Sequence, residues 1–417
     1  MHHFHYRDNR MFCEDVPVPE IADNVGTPFY LYSHATLRHH FCVFQQAFDG
    51  IPHLICFSAK SNSNLAVLRL FGSLGGGLDI VSGGELFRGL QAGIPPDRIV
   101  YSGVGKREDE IEYALRSGIL MFNVESYQEL QIINRCGSQL KKKAPIALRV
   151  NPDVDPKTHP YISTGLKKEK FGLSMEAAAE VYESAAALPY VEITGMSCHI
   201  GSQVTEIAPF VDALHRIKEL VATLGTFGVS ISYLDIGGGL GITYDQETPP
   251  HPNEYGRAIS QALGDNRFTL VLEPGRVIVG NAGILVTRVL YTKKGESKDF
   301  VIVDAAMNDL VRPSLYEAYH AIEPVVRGQR ETIRADVVGP ICESGDFLAK
   351  DRDTPRVQAG DLLAVMSAGA YGFTMSSNYN SRPRVPEVMV KEDHFHVVRA
   401  RESYEDLTKG ESIPPFL

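Results

Sequence analysis

Ser230-Ile231-Ser232-Tyr233-Leu234-Asp235-Ile236-Gly237-Gly238-Gly239-Leu240-Gly241 reads as a short strand that runs straight into a glycine-rich turn. Apolar and β-branched residues dominate its first half, and three successive glycines then remove every Cβ and admit positive φ. Seven comparable runs lie to either side: His53 to Phe57, Leu78 to Val81, Arg98 to Tyr101, Leu120 to Val124, Pro145 to Val150, Val191 to Cys198 and Thr269 to Leu272. Between them, Glu108 to Ser117, Tyr127 to Arg135, Met175 to Ala187, Pro209 to Phe227 and Pro252 to Leu263 carry helical spacing. Eight parallel strands with short connections can close on themselves, whereas an open doubly wound sheet rarely needs so many without a switch in strand order. The expected fold class is therefore α/β, a (β/α)8 TIM-like barrel.

After Asn281 the texture changes to strand-like runs separated by turn residues, at Ile284 to Tyr291, Phe300 to Val303, Ala335 to Val338, Leu362 to Ser367 and Phe395 to Arg399. They predict a second, mostly β domain, which the Pro28 to Tyr32 run can join as a strand ahead of the barrel. The expected organisation is residues 1–35 as that N-terminal strand segment, 36–280 as the barrel and 281–417 as the β domain. No longer-period repeat is visible, which argues against a solenoid or propeller.

The chain has 417 residues, 44% of them hydrophobic and 22% charged, the proportions of an ordinary globular protein. Forty-one Lys and Arg against fifty-one Asp and Glu leave a net charge of −10, which disfavours nucleic acid and anionic membrane surfaces as partners. No apolar run approaches the ~18 residues of a membrane span. The start, His2-His3-Phe4-His5-Tyr6-Arg7, lacks the apolar stretch of a signal peptide, so a cytoplasmic protein is expected. The histidines there read as solvated terminal residues or a cloning remnant. Six cysteines, at 13, 42, 56, 136, 198 and 342, are scattered without a C-x-x-C pair and are expected to be free thiols. No close cluster of His and carboxylates has ligand spacing, so no metal site is expected.

In a barrel the reacting groups follow the strands, on the loops at their C-terminal ends. Strand one runs into Ser58-Ala59-Lys60-Ser61-Asn62, strand two into Ser82-Gly83-Gly84-Glu85, strand six into His199-Ile200-Gly201-Ser202-Gln203 and strand eight into Glu273-Pro274-Gly275-Arg276. The Gly237 to Gly241 turn lets backbone amides approach an anion, and its place after strand seven favours phosphate over a merely flexible turn. Lys60, taken alone, is an ordinary surface lysine; in a desolvated barrel mouth its amine pKa falls and it can form a Schiff base with a carbonyl. Glu273 alone is a helix N-terminal acid, and His199 alone a satisfied core histidine. Together with a phosphate loop and a lysine, they suit a pyridine ring held flat, with a carboxylate at its nitrogen.

At these residues the chain resembles the alanine-racemase-like class of pyridoxal-phosphate enzymes, the fold-type-III decarboxylases, and within it the diaminopimelate decarboxylase family. The matching motifs cover nearly the whole chain: Phe57 to Asn62, His159 to Gly165, His199 to Ser202, Gly237 to Gly239, Glu273 to Arg276, Arg312 to Tyr316, Cys342 to Asp346 and Ala370 to Gly372. The resemblance implies pyridoxal 5′-phosphate as cofactor. It implies Lys60 as the residue carrying it, His199 stacked on its ring and Glu273 at its ring nitrogen. Ser202, Gly237, Gly238, Gly239 and Tyr371 would lie at its phosphate, with Asp79, Gly275 and Arg276 also lining the cofactor. Arg276, Arg312, Tyr316, Glu343 and Tyr371 would hold the substrate, and Cys342 would be the acid. Cys342 and Glu343 would enter the neighbouring barrel of a homodimer with shared active sites. Ser58 and Ser61 depart from the small residues expected at those positions, and neither change is expected to touch the chemistry.

The residues of the β domain agree with an amino-acid substrate carrying a second carboxylate, since Arg276 and Arg312 can each grip a carboxylate through paired hydrogen bonds. Decarboxylation of meso-2,6-diaminopimelate to L-lysine and carbon dioxide, with Cys342 returning the proton, is the expected reaction. A decarboxylase for ornithine, arginine or carboxynorspermidine on the same scaffold is the nearest rival. An amino-acid racemase is disfavoured by Cys342 and the acid after it, and a non-catalytic pyridoxal-phosphate carrier by the β domain.

Overall fold

The structure, a computed structural model, describes residues 2–155, 170–264, 268–296 and 298–417. The chain divides into two compact units, one of Arg38–Thr243 with Glu247–Ile278, the other of Met1–Leu37, Tyr244–Gln246 and Val279–Leu417.

The first unit contains the expected barrel. Its strands are His53–Ser58, Gly77–Ile80, Ile99–Tyr101, Met121–Val124, Ala144–Asn151, Val191–Ser197, Tyr233–Asp235 and Thr269–Leu272. Each pairs in parallel with the next, and Thr269–Leu272 pairs with His53–Ser58 to close the ring. All eight anticipated strands are present. The anticipated helices form too, Glu108–Ser117 and Pro252–Leu263 with the expected bounds. Two further helices, Leu65–Ser73 and Gly83–Gln91, are started by Asn64 and Ser82, whose side chains accept the Ala66 and Glu85 amides.

Side chains two apart on a strand share a face, and this period builds the barrel interior in layers. Cys56, Val100, Met121, Ala147 and Val271 form one buried apolar cluster, with Tyr233 packed against it. Two positions further along the same strands stand Ser58, Ser102, Asn123, Arg149, Glu273 and Asp235. The interior therefore turns from oily to polar toward the C-terminal ends of the strands.

The second unit is a mixed sheet. Phe347–Pro355, Thr332–Val338, Asp299–Val303, Gly283–Lys294, Phe29–Ser33, Glu387–Lys391 and His394–Arg399 lie side by side, and Leu362–Val365 pairs with Gly283–Lys294. The strand read at Pro28 to Tyr32 thus sits in this sheet, antiparallel to Gly283–Lys294 and parallel to Glu387–Lys391. At the N-terminus Phe4–Arg7 and Arg10–Cys13 form a hairpin across a two-residue loop, with His2 exposed and His3 and His5 partly so. Asp8 and Asn9 take φ of 46° and 63°, the positive values a tight hairpin turn requires. Phe4, Met11 and Cys13 are buried among Phe29, Leu31, Ile284 and Val388, and the His3 amide donates to Thr36 Oγ1.

Candidate active site

Lys60 follows the first barrel strand on the single turn Ala59–Ser61. Its Nζ lies 2.6 Å from Asp79 Oδ2 on the neighbouring strand, with the lysine side chain 34% exposed and the aspartate fully buried. Ser58 Oγ donates to the same carboxylate oxygen, while Asp79 Oδ1 is buried with no hydrogen-bond partner. Ser58, one of the two departures from the family pattern, thus touches the acid that pairs with Lys60. Ser61 Oγ donates to the Ser58 carbonyl and fixes the turn.

At the end of Thr269–Leu272, the strand that flanks His53–Ser58 on its other side, Glu273 is buried, its Oε1 accepting from Ser102 Oγ at 3.1 Å and Asn123 Nδ2 at 3.2 Å. Asn123 Nδ2 also reaches Asp235 Oδ2 at 2.8 Å, and Asp235 Oδ1 accepts the Gly237 amide at 2.9 Å. Burial first, and then the charges of Asp235 and Asp79, hold Glu273 well above the ordinary carboxyl range. Burial likewise pushes Asp235 up to about 6. Of these three buried acids, Asp79 is ion-paired to Lys60, and no ion pair to Asp235 or Glu273 is seen among the described residues. The cluster is short of positive charge, and a protonated ring nitrogen at Glu273 is a group that supplies it.

His199 stands after the sixth strand, with Nδ1 facing the Gly238 amide at 3.2 Å. Desolvation, Arg149 and Lys60 hold its imidazole well below its ordinary pKa, so the ring is neutral. The glycine turn runs too close to its neighbours for side chains. A Cβ at Gly237 would stand 2.6 Å from His199 Nδ1, one at Gly238 2.1 Å from the Glu273 carbonyl oxygen and one at Gly239 2.4 Å from that of Gly201. The Gly237 and Gly238 amides are engaged inside the protein, whereas those of Gly239 and Leu240 have no partner among the described residues. These two amides lie within the Gly237 to Gly241 turn that the sequence marks as a candidate anion cradle. Beside it, Arg276 Nη2 donates to Ser202 Oγ at 3.0 Å, and Gly275 packs against Ser61 and Ser58 where a Cβ would be crowded.

The other expected residues lie in the second unit. Arg312 opens the short helix Arg312–Tyr316 and is buried, with Tyr316 half-buried near its end. Cys342 and Glu343 are exposed, the Cys342 amide donating to Asn380 Oδ1 and Glu343 Oε2 accepting from Tyr379 Oη at 2.7 Å. Asp346 holds their loop by accepting the Met307 and Ile341 amides, each at 2.7 Å. Tyr371 takes φ of 54°, sterically costly for a residue with a Cβ. The His159 to Gly165 motif lies outside the described residues.

Sequence reading missed Ser102, Asn123 and Asp235. The signal was present as a lone polar residue two positions beyond each apolar barrel position. It becomes informative only once the strands are known to close, since Ser102 and Glu273 are 171 residues apart.

A closed barrel whose strand ends gather a lysine, a buried carboxylate and an amide cradle, in a chain that also carries a β domain, defines the class of fold-type-III pyridoxal-phosphate-dependent decarboxylases. Residues 34–280 match the model of the pyridoxal-binding domain of pyridoxal-dependent decarboxylases. Diaminopimelate decarboxylase of Pseudomonas aeruginosa is 53% identical over 412 residues, 99% of each chain, and that of Vibrio cholerae 52% identical over 417 residues, 100% of each. The crystal structure of the M. jannaschii diaminopimelate decarboxylase in complex with L-lysine superposes with a TM-score of 0.95 at 36% identity, covering 99% of this chain and 98% of that one. The chain belongs to the diaminopimelate decarboxylase family.

Proposed function

We propose that the protein converts meso-2,6-diaminopimelate to L-lysine and carbon dioxide, and that the residues gathered at the barrel mouth do so with pyridoxal 5′-phosphate. Full-length similarity at 53% identity to a diaminopimelate decarboxylase supports the reaction. The carrying observation in the structure is the Lys60, Asp79 and Glu273 cluster beside two unpartnered amides, which fits an aldehyde-bearing, phosphorylated, cationic ring. When bound, that ring supplies a sink for the electron pair left behind as carbon dioxide departs.

The protein's own residues do the rest. Lys60 would hold the carbonyl end of the cofactor, with Asp79 keeping the amine in place. Glu273 would favour a protonated ring nitrogen, and neutral His199 would face the ring without adding a competing charge. Ser202, Arg276 and the Gly239 and Leu240 amides hold the phosphate, joined by Tyr371. Arg276, Arg312, Tyr316 and Glu343 read the far end of the substrate, where the second carboxylate sets it apart from ornithine. Cys342 returns a proton to the carbon that lost carbon dioxide. Its exposure, and that of Glu343, on a single chain is what residues serving a partner's barrel in a homodimer need.

The test is a purified protein loaded with pyridoxal phosphate and given diaminopimelate or ornithine, with carbon dioxide and amino acids measured. Lysine should appear from diaminopimelate, with little turnover of ornithine. Lys60→Ala should abolish turnover and leave no cofactor fixed to the protein after borohydride reduction. Faster turnover of ornithine would overturn the substrate assignment, and borohydride labelling of Lys60→Ala would move the cofactor to another amine.

A further inference from the structure

The guanidinium of Arg312 is buried and is held on two sides by residues of its own unit. Arg312 Nη1 lies 2.8 Å from His320 Nε2, and the other ring nitrogen, Nδ1, lies 2.8 Å from the Met366 carbonyl oxygen. A carbonyl only accepts and a guanidinium only donates, so both contacts form with one species alone: a neutral imidazole carrying its proton on Nδ1. The Arg312 guanidinium carbon lies 4.6 Å from the centre of the Tyr244 ring, and that ring meets the His320 ring edge to face at 5.3 Å. His320 is itself fully buried, and its own carbonyl accepts from Arg352 Nη1 at 3.0 Å.

An acceptor at one nitrogen and a π face against the plane fix the orientation of the guanidinium fork. Protonated His320 would lose the lone pair that Arg312 uses, so the device works only with the neutral ring.

We propose that His320 and Tyr244 are positioning residues that hold Arg312 in the orientation that grips the substrate's distal carboxylate, and thereby set the preference for substrates that carry one. The inference rests on the assignment of Arg312 to that carboxylate. L-Lysine keeps the carboxylate at the end of diaminopimelate that does not react, whereas cadaverine has none, so the two amines separate carboxylate reading from everything else.

The experiment uses the holoenzyme and its His320→Phe, His320→Gln, Tyr244→Leu and Arg312→Ala variants. It measures KM and kcat for diaminopimelate and the calorimetric binding of L-lysine and cadaverine. His320→Phe keeps a ring but removes the acceptor, and should raise KM and weaken lysine roughly tenfold or more, with kcat within about threefold. His320→Gln restores an acceptor oxygen and should stay near the parent. Tyr244→Leu should shift KM and lysine binding in the same direction as His320→Phe by about threefold or more. Cadaverine binding should be unchanged throughout. Unchanged lysine affinity in His320→Phe, or equal weakening of cadaverine, overturns the inference provided Arg312→Ala does weaken lysine. If Arg312→Ala leaves lysine binding intact, the fault lies in the assignment of Arg312 itself. Should His320→Phe not fold, Tyr244→Leu decides, and an unchanged KM there is the adverse result.

Discussion

At the residue scale the chemistry turns on how one carboxyl group keeps its proton. Glu273 is buried beside Asp235 and within the field of Asp79, so it holds a proton far more tightly than a solvated glutamate. If Glu273 faces the ring nitrogen of the proposed cofactor, its carboxylate would stabilise a protonated, electron-withdrawing ring. Glu273→Gln keeps the shape, and its amide can still meet Ser102, but it offers no negative charge to stabilise a cationic ring. We expect kcat to fall by about 10²-fold or more while pyridoxal phosphate still binds, as read from visible absorbance and steady-state turnover. Parental kcat in a cofactor-saturated Glu273→Gln protein would remove Glu273 from the reaction.

At the scale of elements, the polar layer at the strand ends costs stability in the cofactor-free protein, and the sign follows from the shifts. Asp235 rises from 3.8 to about 6, and Glu273 rises too. Groups whose folded pKa is raised favour the fold while protonated; their contribution is full below their ordinary values and is lost as pH climbs through about 6 and above. For fully buried Asp235 the loss is on the order of a few kcal/mol. The thermal midpoint of the cofactor-free protein should therefore drop between pH 5 and pH 8 by several degrees more than that of Asp235→Asn, roughly in line with ~2–4 °C per kcal/mol for larger domains. Parallel pH profiles for the two proteins would contradict this account. The same layer shows what sequence can and cannot carry. Lys60, His199 and Glu273 were legible because each directly follows an apolar run, but Asn123 and Asp235 are read only through contacts made across the closed barrel. Leu65–Ser73 is a nearly continuous apolar run without helical contrast, and Gly83–Gln91 opens on two glycines, so neither helix announced itself. Phe347–Pro355 is an edge strand with charges at Lys350, Asp351, Arg352 and Asp353, which protect an edge and erase the strand pattern.

At the scale of the whole molecule, the candidate functional residues are divided between two units of one chain, and the division makes a prediction about assembly. Lys60 and Glu273 belong to the barrel, whereas Cys342 and Glu343 sit on an exposed loop of the β unit, pinned by Asp346 and Tyr379. An anchored loop that presents a thiol and a carboxylate to solvent suits donation to a second copy, because the anchor is spent on holding groups that a lone chain leaves outside. If each site of a homodimer combines Lys60 of one chain with Cys342 of the other, then Lys60→Ala and Cys342→Ala proteins are each inactive or nearly so. In a mixture allowed to exchange subunits, half the dimers are mixed and each mixed dimer contains one intact site. Activity should return to about a quarter of the parental value at equal proportions, rising with exchange time. The readout is carbon dioxide release from diaminopimelate after mixing, with unmixed variants as the baseline. No recovery, with exchange demonstrated by differently tagged subunits, would place Cys342 with the Lys60 of its own chain and end the proposal of a shared site.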